Sequence, residues 1–171
     1  GAVTSYAYDP LGRRTTKTFP DSPVWGTVNW GSFTWTAASS PGTNYYLSDG
    51  SDEIAEYNGS GTLTTRYVPG PAIDEPIARV NASGTTNYFH TNRQGSVIAM
   101  SGTSGALAEG PFTYSPYGVC SSVGAPCPTN GIPYRYTGRR GDTETGLYYY
   151  RARYYGPDDA HGGRFLQTDP V

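Results

Sequence analysis

Three carboxylates near the C-terminus are the residues best placed to do chemistry. Asp158 and Asp159 are adjacent, and Asp169 follows shortly after. Two aspartates brought together can share a proton, leaving one to act as a base towards water. Arg151 and Arg153 lie close enough in sequence to tune them. The competing reading is structural: Asp beside Pro or Gly, as in Pro157-Asp158 and Asp169-Pro170, forms turns. On balance no catalytic residue is expected, with Asp158, Asp159 and Asp169 as the only candidates. Asp49, Asp52 and Glu53 lack the full spacing of a calcium loop and read as a solvated turn. His90 and His161 are isolated, and no phosphate loop, nucleophile elbow or metal-binding His pair is present. No metal or other cofactor is expected.

Cys120 and Cys127 lie close together, and one local disulfide is the leading reading, with two free thiols as the alternative. Zinc would need a second Cys or His pair nearby. A disulfide would place the chain in an extracellular, cell-surface or periplasmic setting. Its short loop would do little beyond pinning a surface excursion.

Aromatic residues are the second resource. Trp25, Trp30 and Trp35 recur every five residues. They either plug a core or form an exposed platform for a glycan or a partner protein. Tyr148, Tyr149, Tyr150, Arg151, Arg153, Tyr154 and Tyr155 crowd residues 147–155, which contain no Gly or Pro and so predict one strand. Arg stacks on aromatic faces and bonds carboxylates, so Tyr and Arg facing each other would form cross-strand ladders. The bland alternative is a solvated face. An assembly contact is expected at this stretch.

The elements that position these residues are strands. The chain has 171 residues with 23 Gly, 14 Pro and 16 Tyr, and its turn residues are dispersed between aromatic and β-branched runs. That pattern predicts a folded all-β chain rather than disorder. Asp9-Pro10-Leu11-Gly12 is a hairpin turn, with Pro presetting φ and Gly supplying φ > 0. Related units recur through Asn58 to Gly61, Asn81 to Gly84 and Gly102 to Gly105, a period of roughly twenty residues. Further strands are read over 73–80, 106–114, with a break at Gly110-Pro111, and 134–138. Where a hydrophobic period can be read it is two, and no amphipathic helix is found. Three segments follow: 1–118 of hairpin repeats, 119–133 an irregular loop with the Cys pair, and 134–171 a closing hairpin. The net charge of −2 makes nucleic acid an unexpected partner, and no apolar run would span a bilayer. The chain opens at Gly1 without Met, as a processed fragment would.

Tyr8-Asp9-Pro10-Leu11-Gly12-Arg13 resembles the tyrosine–aspartate (YD) repeat of Rhs proteins. Ile73-Asp74-Glu75-Pro76, Tyr88-Phe89-His90, Gly95-Ser96-Val97, and the stretches 114–118 and 134–138 resemble parts of the Rhs repeat-associated core. The longest match is 144–155, followed by Gly163-Arg164-Phe165-Leu166 and Asp169-Pro170. The resemblance covers most of the chain and is weakest at 20–43 and 119–132. It implies a β-ribbon that spirals into a hollow shell, a plan shared by bacterial Rhs toxins, the C component of toxin complexes and teneurins. In the toxins the shell encloses a toxic C-terminal domain, which an aspartyl-type autoproteolytic cut releases. This chain departs from the pattern. It is short for a full shell, stops upstream of the usual cleavage motif, has Gly156 where Asp is common, and carries a longer loop at 157–162.

The expectation is a spiralling antiparallel β-ribbon of YD-type hairpins, part of a shell or a repeat β-sheet, with a structural, non-catalytic role. Its sheet edges would present free N–H and C=O groups. They would pair either with the remainder of a longer Rhs polypeptide or with another copy, head to tail, as a homo-oligomer or filament. A glycan- or protein-binding module and an autoproteolytic cage fragment are the alternatives.

Overall fold

The structure is a computed structural model that describes residues 3–19, 42–122, 125–127, 132–158 and 160–169. The chain is all-β and antiparallel. Among the described residues nine strands form one meander in sequence order: β1 (Ser5–Tyr8), β2 (Arg14–Phe19), β3 (Gly42–Asp49), β4 (Asp52–Asn58), β5 (Leu63–Pro69), β6 (Pro76–Asn81), β7 (Thr86–Thr91), β8 (Val97–Gly102) and β9 (Leu107–Glu109).

One turn design links many of these strands. Asp9, Asn58, Asn81 and Asn92 each donate a backbone N–H to the carbonyl four residues on, and each carbonyl accepts from the glycine three residues on. The side-chain Oδ1 of each also accepts the N–H groups two and four residues ahead. An Asx side chain thus stands in for backbone that the turn leaves unpaired. The glycines Gly12, Gly61, Gly84 and Gly95 sit at φ of 75 to 84°, where a Cβ would be strained. The Asp of the YD motif is therefore a turn cap.

At Gly110 the chain leaves this sheet; a Cβ there would press on the backbone of Ile98 and Ala99. β10 (Phe112–Tyr114), β11 (Cys120–Ser122) and β12 (Ala125–Pro126) make a three-stranded sheet. A four-stranded sheet closes the chain: β13 (Arg140–Asp142), β14 (Leu147–Tyr149), β15 (Tyr154–Gly156) and β16 (Arg164–Phe165).

The apolar core is small and lies under β7, β8 and β10. Phe89, Val97, Met100, Phe112, Cys127 and Ile132 are buried together, with Tyr114, Cys120 and Tyr134 packed around them. Each such side chain stabilises by roughly 1.5–3 kcal/mol. Cys120 and Cys127 are disulfide-bonded, and the bridge belongs to this core rather than to a surface excursion.

Several strand expectations are corrected. Residues 73–75 form a loop before β6, held by Gly70 N–H donating to the Glu75 carbonyl. Residues 134–138 turn back: Arg135 N–H donates to the Arg139 carbonyl, with Thr137 at φ 50° and Gly138 at φ 70°. Residues 147–155 are two strands, not one, because Arg151 takes φ 61°. Tertiary bonds hold that unfavourable conformation in place of a glycine.

Candidate functional site

The closing sheet is built to meet the ribbon, and the meeting surface is charged. Two bulges make this possible. Tyr8 pairs with Arg14 but Ala7 pairs with Thr16, so Thr15 is an extra residue in β2. Arg14 and Lys17, three apart, consequently face the same side. On β4, Ser48 pairs with Glu53 and Leu47 with Ala55, leaving Ile54 extra and placing Glu53 and Glu56 on that same face. In a regular strand a spacing of three would send each pair to opposite faces.

Arg140 and Asp142, two apart on β13, answer from the closing sheet. Arg14 Nη1 donates to Asp142 Oδ2 at 2.6 Å, and Lys17 Nζ reaches Asp142 Oδ1 at 3.4 Å and Glu144 Oε2 at 2.9 Å. Arg140 donates one Nη to Glu53 and the other to Glu56, and the Tyr67 hydroxyl donates to Glu56 at 2.6 Å. The Arg14 and Arg140 guanidinium carbons each lie 4.7 Å from the Tyr46 ring centroid. Arg14 also lies 4.6 Å from that of Tyr149.

Three cations here face four carboxylates, so one carboxylate is in surplus. Burial pushes the Glu53 carboxyl up to about 7 against the pull of Arg140, with the Glu56 charge adding to the rise. Burial opposes ionisation of Glu56 as well, but Arg140 and the Tyr67 hydroxyl bond outweigh it and hold its carboxyl below the ordinary value.

The tyrosines divide between two faces of the closing sheet. Arg140, Tyr149 and Tyr154 are register partners on one face. There the Tyr149 hydroxyl accepts from Arg14 N–H at 3.0 Å, and the Tyr154 hydroxyl meets that of Tyr8 at 2.8 Å. Gly141, Tyr148, Tyr155 and Phe165 align on the other face. Tyr148 and Tyr155 donate to the carbonyls of Gly118 and Tyr117, in the turn between β10 and β11. Tyr150 bonds the Thr137 hydroxyl at 2.7 Å, and the Arg139 guanidinium lies 4.6 Å from its ring centroid.

A second ion cluster borders a small cleft beside this seam. Asp74, itself at φ 62°, pairs with Arg139 at 2.6 Å and Arg151 at 2.8 Å. Arg151 Nε also donates to the Ser51 carbonyl at 3.3 Å. Asp74, Thr137 and Arg151 are the non-glycine residues with left-handed backbone among the described residues; Asp74 and Arg151 pair in this cluster, whereas Thr137 bonds Ser96 and Tyr150. A Cβ on Gly138 would collide with the Asp74 carbonyl oxygen, so only glycine lets the loop approach.

Of the acid–base candidates, Asp158 and Asp169 lie among the described residues, and each has a basic partner. Asp158 accepts from the His161 backbone at 2.9 Å and pairs with its Nδ1 at 2.5 Å; that side-chain bond holds its carboxyl below the usual range. Asp169, 77 % exposed, reaches Arg153 at 3.4 Å, whose guanidinium lies 3.8 Å from the Phe165 ring centroid. Asp159, Trp25, Trp30 and Trp35 lie outside the described residues. Among the described residues no cluster of His, Cys, Asp and Glu could hold a metal, and no helix is long and apolar enough to cross a membrane. Arg153 pairs with Asp169, one of the carboxylates it was expected to face, whereas Arg151 pairs with Asp74. Arg14, Lys17 and Glu56 carried no signal in sequence, because the bulges that align them depend on pairing.

A meandering ribbon of Asx-capped hairpins, closed by a Tyr/Arg sheet, defines an antiparallel β-repeat protein. No family model matches the chain. It is similar to the tRNA3(Ser)-specific nuclease WapA of Bacillus spizizenii, 33 % identical over 168 residues, covering 97 % of this chain and 6 % of that protein. It is also similar to double-stranded DNA deaminase toxin A of Burkholderia cenocepacia, 26 % identical over 186 residues, covering 98 % of this chain and 12 % of that one. In fold it matches the crystal structure of TcdB2-TccC3-Cdc42 with a TM-score of 0.64 at 24 % identity, over 98 % of this chain and 8 % of the other. The chain belongs to the Rhs/YD-repeat proteins. It spans a small fraction of the relatives it matches.

Proposed function

We propose that this chain is a non-catalytic wall segment of a longer Rhs-type toxin polypeptide, exported to the bacterial cell surface or beyond. Its closing sheet fastens onto the hairpin ribbon through the buried ion network. The observation that carries this reading is the pairing of Arg14 with Asp142 and of Arg140 with Glu53 and Glu56. Residues that could act on a substrate are spent in holding two sheets together.

The relatives support it. One is named for tRNA cleavage and another for DNA deamination, yet each resembles nearly all of this chain. Two such different chemistries do not reside in one shared segment. The disulfide favours an oxidising compartment. The outer edge of β1 has no strand partner among the described residues, so the longer polypeptide, or a second copy of the isolated chain, would pair with it. On this reading Asp158 and Asp169 fix the closing loop and cut nothing.

The test is direct. Purified chain is incubated with tRNA and with double-stranded DNA, and both stay unchanged; cleavage or deamination of either overturns the reading. In the parent polypeptide, Asp142→Ala exposes the closing sheet to limited proteolysis. Unchanged protection would remove the fastening role.

A further inference from the structure

We propose that Asn58 is a site of spontaneous deamidation, the one among three equivalent turn asparagines that the chain leaves open to it. Asn58, Asn81 and Asn92 hold the same position in the same turn, and each Oδ1 accepts the N–H groups two and four residues ahead. They differ in the residue that follows: Gly59, Ala82 and Arg93. In this reaction the backbone nitrogen of the following residue attacks the asparagine Cγ. Hydroxide takes its proton, water returns one to the side-chain amide nitrogen, and ammonia leaves as a five-membered imide closes. One water then opens the imide to an aspartyl or an isoaspartyl residue. Any side chain on the following residue crowds the attack and stiffens the backbone that must rotate; glycine does neither. Asparagine is already among the thermolabile residues.

The turn itself does not ask for this glycine. Gly61, at φ 78°, supplies the left-handed position, whereas Gly59 has no left-handed φ. A Cβ at Gly59 would meet Thr43 no closer than 3.5 Å, an ordinary contact. Gly59, Ser60 and Gly61 are exposed, so water reaches the imide.

The two products have opposite consequences. Asp9 occupies the matching place in the first hairpin and accepts the matching bonds from Leu11 and Arg13. An aspartyl product at position 58 therefore keeps the turn. The isoaspartyl product adds a carbon to the main chain and withdraws the capping oxygen, which loosens the pairing of β4 with β5.

The experiment is incubation of the intact folded chain in mildly alkaline buffer, followed by peptide mapping and enzymatic methylation of isoaspartate. Asn130-Gly131, outside the described residues, is mapped on a separate peptide. The expected result is a one-dalton gain and isoaspartate at Asn58, with Asn81 and Asn92 unchanged. Gly59→Ala abolishes the conversion while the fold is retained. Survival of Asn58 in the folded chain while the unfolded chain converts there would overturn the proposal. Equal rates at all three asparagines would do so too.

Discussion

Arg14 donates to Asp142 across 128 residues of chain, with side chains 1 % and 0 % exposed. This bond ties the second strand of the ribbon to the first strand of the closing sheet. A buried pair of this kind is costly to break by halves, because the remaining charge stays dry and unmatched.

Asp142→Ala removes the carboxylate that both Arg14 and Lys17 face. Loss of one partner from a buried pair costs about 3–5 kcal/mol, a large share of a domain's total stability of about 5–15 kcal/mol. Urea unfolding followed by tyrosine fluorescence measures it. The double variant Arg14→Met/Asp142→Leu should lose much less. If it is as unstable as the single variant, the charges contribute more than orientation.

The pH dependence follows from Glu53. Its folded value is about 7 against an ordinary 4.5, so the native state holds its proton more tightly than the unfolded chain. Its contribution to stability is full below about 4.5 and is lost as pH rises through about 7. Glu56, lowered by folding, runs the other way and loses its contribution in acid. Glu53→Gln should therefore gain on the parent chain between pH 5 and pH 8. Denaturant midpoints at the two pH values would show it; a constant difference would contradict the assignment.

Glycines that look alike in sequence should respond unequally. Gly12 and Gly138 both have left-handed backbone, at φ 75° and 70°. A Cβ on Gly12 meets nothing within 4 Å, whereas one on Gly138 strikes the Asp74 carbonyl. Gly12→Ala should cost about 1–2 kcal/mol of backbone strain. Gly138→Ala should cost clearly more and release Arg139 and Arg151 from Asp74. Melting temperatures of the two variants rank them.

Arg151 carries left-handed strain without being glycine. Both Arg151→Ala and Arg151→Gly lose the Asp74 pair, but only the glycine variant sheds the strain. The glycine variant should be the more stable by about 1 kcal/mol, read from equilibrium unfolding. The reverse order would mean that the conformation costs nothing.

Reduction of the Cys120–Cys127 bridge should be modest in effect. The cysteines are seven residues apart, and closing so short a loop stabilises by about 2–3 kcal/mol in the chain-entropy account. Unfolding with and without reductant measures the difference.

The ribbon was legible in the sequence because its signals are local. Asp9, Asn58 and Asn81 announce their turns three residues before a glycine, and that spacing alone places the hairpins. The seam was not legible. A spacing of three puts Arg14 and Lys17 on opposite faces of a regular strand, and only the Thr15 bulge aligns them, while Glu53 read as part of a solvated turn. Residues 147–155 read as one strand because nothing in their sequence betrays the bend at Arg151. Its cause, Asp74, lies far away in the chain.

The bond between Arg14 and Asp142 also fixes an order of events. Apart from the β2–β3 pair, where Phe19 meets Gly42, each hairpin of the meander can close as soon as its own two strands exist, since its contacts are near neighbours in sequence. The seam must wait until residue 142 has left the ribosome, so it forms late in the history of the chain. Until then Arg14, Lys17, Glu53 and Glu56 stand in water on an uncovered sheet, where their charges keep that face soluble. The residues that lock the finished seam thus also protect the unfinished sheet.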